Sequence, residues 1–297
     1  MRFNLPVLVY QEKKCVHNHA DEIAQMGKNA LIVTGRNSSK KNGSLDDVIN
    51  ALKSKNIKYT VYDGVEENPS VETVMEAREI GVKAGCDFII GIGGGSPMDA
   101  AKAIGVMIYH KNENKDFLYK SVSNSQSLPV IEVPTTCGTG SEVTTVAVLT
   151  VHNEKTKKSM SHRIFPRMAL VDEKYIKNAP LKVICDTAID ALAHIVESCI
   201  NNNATEYSKM FAKEGLEAWS KFKDVLLGNR EATNEDFHNM MYASTLAGMC
   251  IAHAGTSLPH GLSYPITYEL GIPHGKAVDI FCLVILMKLQ MRIKNLF

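Results

Sequence analysis

Short apolar runs alternate with amphipathic helical stretches in the first part of the chain. Four runs rich in β-branched residues predict strands, namely ALIVTG (30–35), YTVYDG (59–64), DFIIGIG (87–93) and LPVIEVP (128–134). Between them, LDDVINALKSK and SVETVMEAREIGVKAG carry apolar residues at three- and four-residue spacing, and Ser70 is the expected N-cap of the second helix. This alternation predicts an α/β fold with a parallel sheet.

The pattern changes near residue 180. VAVLTV (146–151) and MALVD (168–172) are the last predicted strands, and they flank a polar, lysine-rich turn. The later segments, such as VICDTAIDALAHIVESCI and FHNMMYASTLAGMCIAHA, have helical periodicity throughout. We therefore predict an α/β domain over residues 1–179 and a helical domain over residues 180–297.

Composition and charge exclude several classes of function. The chain has 297 residues, of which 45% are hydrophobic, and its formal net charge of +1 gives no field for binding nucleic acid or an acidic membrane surface. The seven cysteines form no CxxC motif, so neither a disulfide framework nor a zinc knuckle is expected. Because no secretory pattern or membrane-length apolar stretch is present, we expect a cytoplasmic protein.

A glycine-rich turn, IGIGGGSPMDAAKAIG (90–105), follows the third predicted strand. We expect Ser96 to cap the following helix, with Pro97 and Asp99 in its first turn. Backbone N–H groups at the positive end of a helix, without side chains in the way, form a site for a phosphate. The alternative is a tight strand-to-helix turn with an ordinary cap, because a glycine motif alone is weak evidence.

A second motif and two groups of metal-binding residue types strengthen the functional interpretation. PTTCGTGSEVTT (134–145) also follows a predicted strand, where open parallel sheets bind cofactors. Asp190 and His194 share one face of a predicted helix, and His260 and His274 lie further along the chain. An Asp–His pair alone is more often a surface or capping pair, but one carboxylate with three imidazoles suits Fe²⁺ or Zn²⁺.

The motifs GGGSPMDAAK, PTTCGTGSEVT, DALAHIVE and PHGKA, in that order, resemble those of the iron-containing (group III) alcohol dehydrogenases, and the similarity extends to about residue 281. The resemblance implies a fold like that of dehydroquinate synthase: an α/β dinucleotide-binding domain followed by an all-α metal-binding domain. It also implies hydride transfer between NADP(H) and a short primary alcohol or aldehyde, as in butanol dehydrogenases. A homodimer is expected by the same analogy.

The resemblance also assigns site residues. Those implied to hold the metal, Fe²⁺ in preference to Zn²⁺, and through it to carry catalysis, are Asp190, His194, His260 and His274. Those implied to bind the dinucleotide are Gly94, Gly95, Ser96, Asp99, Thr135, Thr136 and Thr139, with Asn68 and Lys158 as weaker correspondences.

The cofactor choice depends on the end of the strand ALIVTG. Family members that prefer NAD usually place an aspartate where this chain has Gly35, and an acid there repels a 2′-phosphate. Here the stretch reads GRNSSKKNG, so we expect Gly35, Ser38 and Ser39 near the phosphate, with Arg36 or Lys40 lending charge. NADP(H) is therefore favoured over NAD(H). The alternative is a solvated basic loop.

Three features depart from the family pattern or stay open. Tyr264 replaces a histidine that many members carry, and its hydroxyl could relay a proton or its ring could simply pack. Glu197 could orient a ligand imidazole or be an ordinary solvated glutamate. The ending CLVILMKLQMRIKNLF (282–297) does not continue the family pattern, which predicts a shortened, incomplete helical domain unless this is a natural variant.

Two alternatives to the alcohol dehydrogenase hypothesis stay open at this point. One is a related enzyme on the same scaffold, such as a zinc-dependent polyol dehydrogenase or a hydroxyacid-oxoacid transhydrogenase. The other is a truncated, inactive chain that still binds nucleotide through its first domain.

Overall fold

A six-stranded, fully parallel sheet forms the first half of the protein in the computed structural model, which describes residues 3–282. The spatial order is β1-β8-β5-β4-β2-β3, with β1 at Leu8–Gln11, β2 at Asn29–Gly35, β3 at Lys58–Val65, β4 at Phe88–Gly93, β5 at Val130–Pro134 and β8 at Met168–Val171. The predicted strands are confirmed to within two residues at each end. β1 was not predicted, because it is a four-residue, half-exposed edge strand with a weak apolar signal.

The polar, lysine-rich segment that was predicted as a turn contains the second strand of a β-hairpin. Strand β6, Val148–Val151, pairs antiparallel with β7, Thr156–Ser159. β7 was not predicted because its sequence is TKKS, which has no apolar residue. Pairing with β6 outweighs this poor strand propensity.

Ten complete helices lie within the described residues. They are α1 (Cys15–Asn18), α2 (Ala20–Ala24), α3 (Ser38–Asn42), α4 (Ser44–Ser54), α5 (Val71–Ala84), α6 (Gly95–Tyr109), α7 (Leu181–Ile200), α8 (Glu206–Leu226), α9 (Asn234–Ala254) and α10 (Leu258–Leu270). Four 3₁₀ turns lie at Lys115–Tyr119, Ser141–Val143, His152–Glu154 and Glu173–Tyr175. A further helix begins at residue 274 and reaches the last described residue, 282. The unusual C-terminal sequence after residue 282 lies outside the described residues.

Helices cover both faces of the sheet, because side chains alternate along each strand. On β2, Leu31 and Val33 join the core beneath α5 and α6. Ala30 and Ile32 point to the other face, into the core with α1, α2 and α4. A sheet buried on both faces explains why the strands read as continuous apolar runs.

The helical half begins at Leu181, directly after Pro180. Helices α7, α8 and α9 share one apolar core, which includes Ile195, Phe222 and Met240. Ser70 caps α5 as predicted, accepting a hydrogen bond from the Thr73 N–H at 3.2 Å. The division of the chain into two domains at residue 179 stays a prediction.

None of the helices within residues 3–282 is both long enough and apolar enough to cross a membrane.

Candidate metal centre and dinucleotide cavity

A cavity of about 750 Å³ lies at the carboxyl ends of the parallel strands, where the helical half packs against the sheet. It is large enough for a cofactor and a small substrate. Most of the sequence-predicted site residues line it, namely Gly35, Ser38, Asn68, Gly94, Gly95, Ser96, Asp99, Thr136, Thr139, Asp190, His194, His260 and His274. Ser39, Thr135 and Lys158 do not line it.

One carboxylate oxygen faces three imidazoles at one end of this cavity. Asp190 Oδ1 lies 3.4 Å from Nε2 of His260, 3.9 Å from Nε2 of His274 and 4.0 Å from Nε2 of His194. Asp190, His260 and His274 offer ligand atoms within 4.8 Å of one another. Asp190 and His194 share α7, and the fold brings His260 of α10 and His274 at the start of the next helix to them.

The other ring nitrogen of each histidine has its own neighbour. His194 Nδ1 lies 3.2 Å from the Gly138 carbonyl oxygen, and His260 Nδ1 lies 2.5 Å from Glu197 Oε1. His274 Nδ1 is 3.5 Å from the hydroxyl of Ser263. A carbonyl or carboxylate that accepts a proton from Nδ1 fixes the orientation of the ring, with Nε2 directed at the cluster.

Glu197 orients His260, and not the nearby His194 on its own helix. Its second oxygen accepts hydrogen bonds from the backbone N–H of Ser257 at 2.5 Å and from the Ser257 hydroxyl at 3.0 Å. The carboxylate therefore fixes both the start of α10 and the one histidine within it, His260. The solvated-glutamate interpretation is wrong, because Glu197 is buried.

The buried side chains of the cluster shift one another's pKa values. Burial alone would raise the pKa of Asp190, but the surrounding imidazoles outweigh burial and hold it well below its ordinary value. Burial lowers the pKa of His274 to about 3 and also lowers that of His194. Burial likewise opposes the charged form of His260, but Asp190 and Glu197 prevail and raise its pKa to about 9.

Two buried atoms of the cluster lack any hydrogen-bond partner among the described residues: Asp190 Oδ1 and His260 Nε2. Buried polar groups without partners are costly, and a divalent cation is one group that satisfies both atoms at once. One oxygen and three nitrogen donors match the preferences of Fe²⁺ and Zn²⁺. The residues present therefore fit the metal that the sequence motif implies.

The glycine turn makes close contact with the hydroxyl-rich loop. A Cβ atom on Gly95 would lie 2.8 Å from Thr139 Cγ2, and one on Gly94 would lie 3.1 Å from the Thr136 side chain. Only glycine permits this approach at Gly95. The two loops together form a wall of the cavity at the N-terminus of α6, where backbone N–H groups favour an anion.

Ser96 does not cap α6 as predicted. The helix begins at Gly95 with Gly94 as its N-cap, and the Ser96 hydroxyl instead accepts the backbone N–H of Asn68 at 3.1 Å. Asn68 has a left-handed backbone, with φ of 57°. Its carbonyl accepts the Thr150 hydroxyl at 2.8 Å, so contacts on both sides hold this conformation at the cavity wall.

Asp99 has a different task from the one expected. Its carboxylate accepts the Ser141 hydroxyl at 2.6 Å and the backbone N–H of Val148 at 2.8 Å. Asp99 also lines the cavity, and each of its oxygens accepts one hydrogen bond from the chain itself. It therefore supports the cavity wall.

Lys158, the lysine predicted to contact the cofactor, does not line the cavity, whereas its neighbour Lys157 does. Lys158 is half exposed, lies 3.4 Å from Glu154 and sits over the ring of Tyr119. Lys157 is buried, lines the cavity and donates to Asn68 Oδ1 at 2.7 Å. Strand alternation in β7 points successive side chains in opposite directions, and recognition of that strand would have identified Lys157.

Other residues that were predicted to lie near the dinucleotide do not line the cavity. Ser39 is buried and accepts a hydrogen bond from the Thr34 hydroxyl at 2.8 Å. Thr135 is buried, and its N–H donates to the Gly93 carbonyl at 2.8 Å. Lys40 pairs with Asp63 at 2.5 Å and does not line the cavity, nor does Arg36. Of the predicted phosphate-binding stretch, only Gly35 and Ser38 reach it.

Tyr264 lies in the cavity beside the metal cluster. Its ring centroid is 5.9 Å from that of His274, and Lys157 Nζ is 5.4 Å from its centroid. Burial raises the pKa of Tyr264 to about 12. Among the described residues, its hydroxyl has no hydrogen-bond partner in the protein.

Comparison with known proteins identifies the family to which these features correspond. The model described as "Iron-containing alcohol dehydrogenase" matches residues 6–173. A second model, "Fe-containing alcohol dehydrogenase family, C-terminal", matches residues 184–295.

Individual relatives agree with this result. An NADPH-dependent butanol dehydrogenase of Clostridium saccharobutylicum is 32% identical over 95% of this chain and 72% of its own length. A 1,3-propanediol dehydrogenase of Citrobacter freundii is 34% identical over 84% of this chain, which spans only 65% of that relative. The crystal structure of an iron-containing alcohol dehydrogenase from Thermotoga maritima superposes with a TM-score of 0.88 at 41% identity, covering 93% of this chain and 76% of that one.

The unpartnered atoms of the cluster lead to a prediction about metal content. We expect Asp190→Asn to lower bound metal severalfold, because it replaces the only anionic donor of the set. Chelation should lower the melting temperature of the unmodified protein by about 5 °C, since a ligand of the folded state stabilises it. The variant should show little change on chelation. Elemental analysis and thermal unfolding measure both.

His253→Gln is the matched control, because His253 stacks on Phe3 outside the cluster and should keep normal metal content. Retention of full metal content by Asp190→Asn would contradict the assignment.

Proposed function

The chain belongs to the iron-containing alcohol dehydrogenase family, and we propose that it transfers hydride between NADP(H) and a short primary alcohol or aldehyde. The observation that carries the proposal is the convergence of Asp190, His194, His260 and His274 at one end of the cavity whose other wall is the glycine turn. The chain covers less than two thirds of some relatives, so the activity of the whole enzyme is part of the proposal.

The protein contributes binding and orientation to this reaction. When bound, a divalent cation polarises the substrate oxygen and the dinucleotide exchanges hydride with the substrate carbon. Asp190 and the three Nε2 atoms hold the cation, and Fe²⁺ is our first choice over Zn²⁺ because the family uses it. The glycine turn and the threonines of the hydroxyl-rich loop place the dinucleotide, with Lys157 and Asn68 as further contacts. Orientation of this kind accounts for a large part of enzymatic rate enhancement.

The preference for NADP(H) rests on Gly35. This residue ends β2 at the cavity and carries no acidic side chain that would repel a 2′-phosphate. The similar butanol dehydrogenase of Clostridium saccharobutylicum is named as NADPH-dependent, which supports the choice. A homodimer and a cytoplasmic location remain predictions.

The proposed function is tested by turnover. We expect the chain loaded with Fe²⁺ or Zn²⁺ to oxidise NADPH in the presence of butyraldehyde and to be inactive after chelation. A panel of alcohols, 1,3-propanediol and glycerol defines the substrate class. Strong glycerol activity with zinc would favour a polyol dehydrogenase. NADPH binding without turnover of any substrate would favour an inactive nucleotide-binding chain.

Gly35 gives a direct test of cofactor choice. We expect Gly35→Asp to raise the KM for NADPH by about tenfold or more while changing the KM for NADH little, because the new charge repels only the 2′-phosphate. The site accepts a side chain, since a Cβ atom there would lie 3.4 Å from the Val65 carbonyl oxygen.

The neutral variant Gly35→Asn separates charge from size. It should leave the ratio of the two KM values close to that of the unmodified enzyme. An equal loss with both Asp and Asn, or no loss with either, would contradict the placement of the phosphate at Gly35.

Tyr264 gives a second test at the catalytic end. We expect Tyr264→Phe to keep kcat within about threefold, because the ring retains its packing and the hydroxyl has no protein partner among the described residues. The measurement is the steady-state rate between roughly pH 6 and pH 9, the range in which general acid–base groups usually act. A large fall in kcat with a changed pH profile would show that the hydroxyl moves the proton.

A further inference from the structure

We propose that Lys102 is a positioning residue that fixes the wall of the dinucleotide cavity formed by residues 141–148. The inference rests on the proposed function, because it states how the dinucleotide site is held in shape. We call residues 141–148 the wall segment.

Lys102 is completely buried on α6, and its ammonium group is directed at the wall segment. Nζ donates to three backbone carbonyl oxygens, those of Ser141 at 2.8 Å, Thr144 at 3.2 Å and Val146 at 2.7 Å. It also lies 2.7 Å from the Ser141 hydroxyl. The three carbonyls lie in a 3₁₀ turn and the irregular chain after it, where no sheet partner is available.

Asp99 holds the same segment from the preceding turn of α6. As described above, it accepts the Ser141 hydroxyl and the Val148 N–H, and its Oδ1 lies 3.7 Å from Lys102 Nζ. A buried charge survives only when it is paired and hydrogen-bonded. The Asp99–Lys102 pair meets this condition by attaching both ends of the wall segment to one face of the helix.

The wall segment is part of the dinucleotide site. Ser141, Thr144, Val146 and Val148 line the cavity, and so do the first residues of α6. Lys102 itself does not line it, so it cannot contact a phosphate there. Its charge acts through the wall, by setting the distance between the wall and the helix N-terminus.

Glu132 provides a matched control within the same buried cluster. Its Oε1 lies 4.0 Å from Lys102 Nζ, and neither of its oxygens has a hydrogen-bond partner among the described residues. Burial raises the pKa of Glu132 well above its ordinary value, and Glu132→Gln keeps the shape of this side chain. Glu132 makes no hydrogen bond to the wall segment.

The experiment compares Lys102→Met with Glu132→Gln in the full chain. We expect Lys102→Met to raise the Kd for NADPH, followed by NADPH fluorescence, at least about tenfold, because three charge-assisted hydrogen bonds to the wall are lost. Metal content should not change, since the ligands lie on other helices. Backbone hydrogen exchange within residues 141–148 should rise. Glu132→Gln should match the unmodified protein in all three measurements.

The experiment distinguishes a failure of this inference from a failure of the proposed function. Unchanged NADPH affinity and unchanged exchange in Lys102→Met would overturn it, and so would equal losses in Glu132→Gln. If the unmodified protein binds no NADPH, the proposed function fails, but the exchange measurement still decides whether Lys102 orders the wall.

Should Lys102→Met fail to fold, Ser141→Ala provides the test. It removes the hydroxyl that contacts Lys102 and donates to Asp99, and should raise the Kd for NADPH about threefold with faster exchange in the wall segment. No change in either measurement would overturn the inference.

Discussion

The candidate site depends on one buried carboxylate oxygen that has no hydrogen-bond partner among residues 3–282. Asp190 Oδ1 faces three imidazole nitrogens, one from its own helix and two from later parts of the chain, and burial makes an uncompensated charge there expensive. The supporting contacts serve this arrangement: Glu197 and the Gly138 carbonyl fix the ring orientations of His260 and His194. A bound cation would compensate this carboxylate.

The loop after β5 joins this cluster to the dinucleotide side. It supplies the Gly138 carbonyl to a ligand histidine, while its threonines pack against the glycine turn. It is held from the helical half as well, because Glu142 accepts the Thr245 hydroxyl at 2.9 Å. A Cβ atom on Gly248 would lie 2.4 Å from the Gly140 carbonyl oxygen, so α9 and the loop are in backbone contact. One short segment therefore sets the distance between the two halves of the site.

The protein handles charge locally. With a net charge of +1, it has no extended field for attracting an anionic cofactor. Instead, a helix N-terminus, the buried Lys157 and the left-handed Asn68 line one wall of the cavity, and β2 ends there at Gly35 without an acidic side chain. Lys102 is also buried, but its ammonium group donates to the backbone carbonyls of residues 141–148. Unlike Lys157, it does not line the cavity.

The sequence by itself determined five of the six strands of the parallel sheet, the capped helix at Ser70, the glycine turn and, through the motif, the four residues of the Asp–His cluster. These features depend on local periodicity, because apolar spacing decides which face of an element is buried. Only the tertiary structure decided that Lys157 and not Lys158 faces the cavity, that Asp99 holds a loop, and that Glu197 orients a histidine 63 residues away. Polar side chains in irregular segments carry no periodic signal. Their partners are chosen by the packing of distant elements, which the sequence does not display.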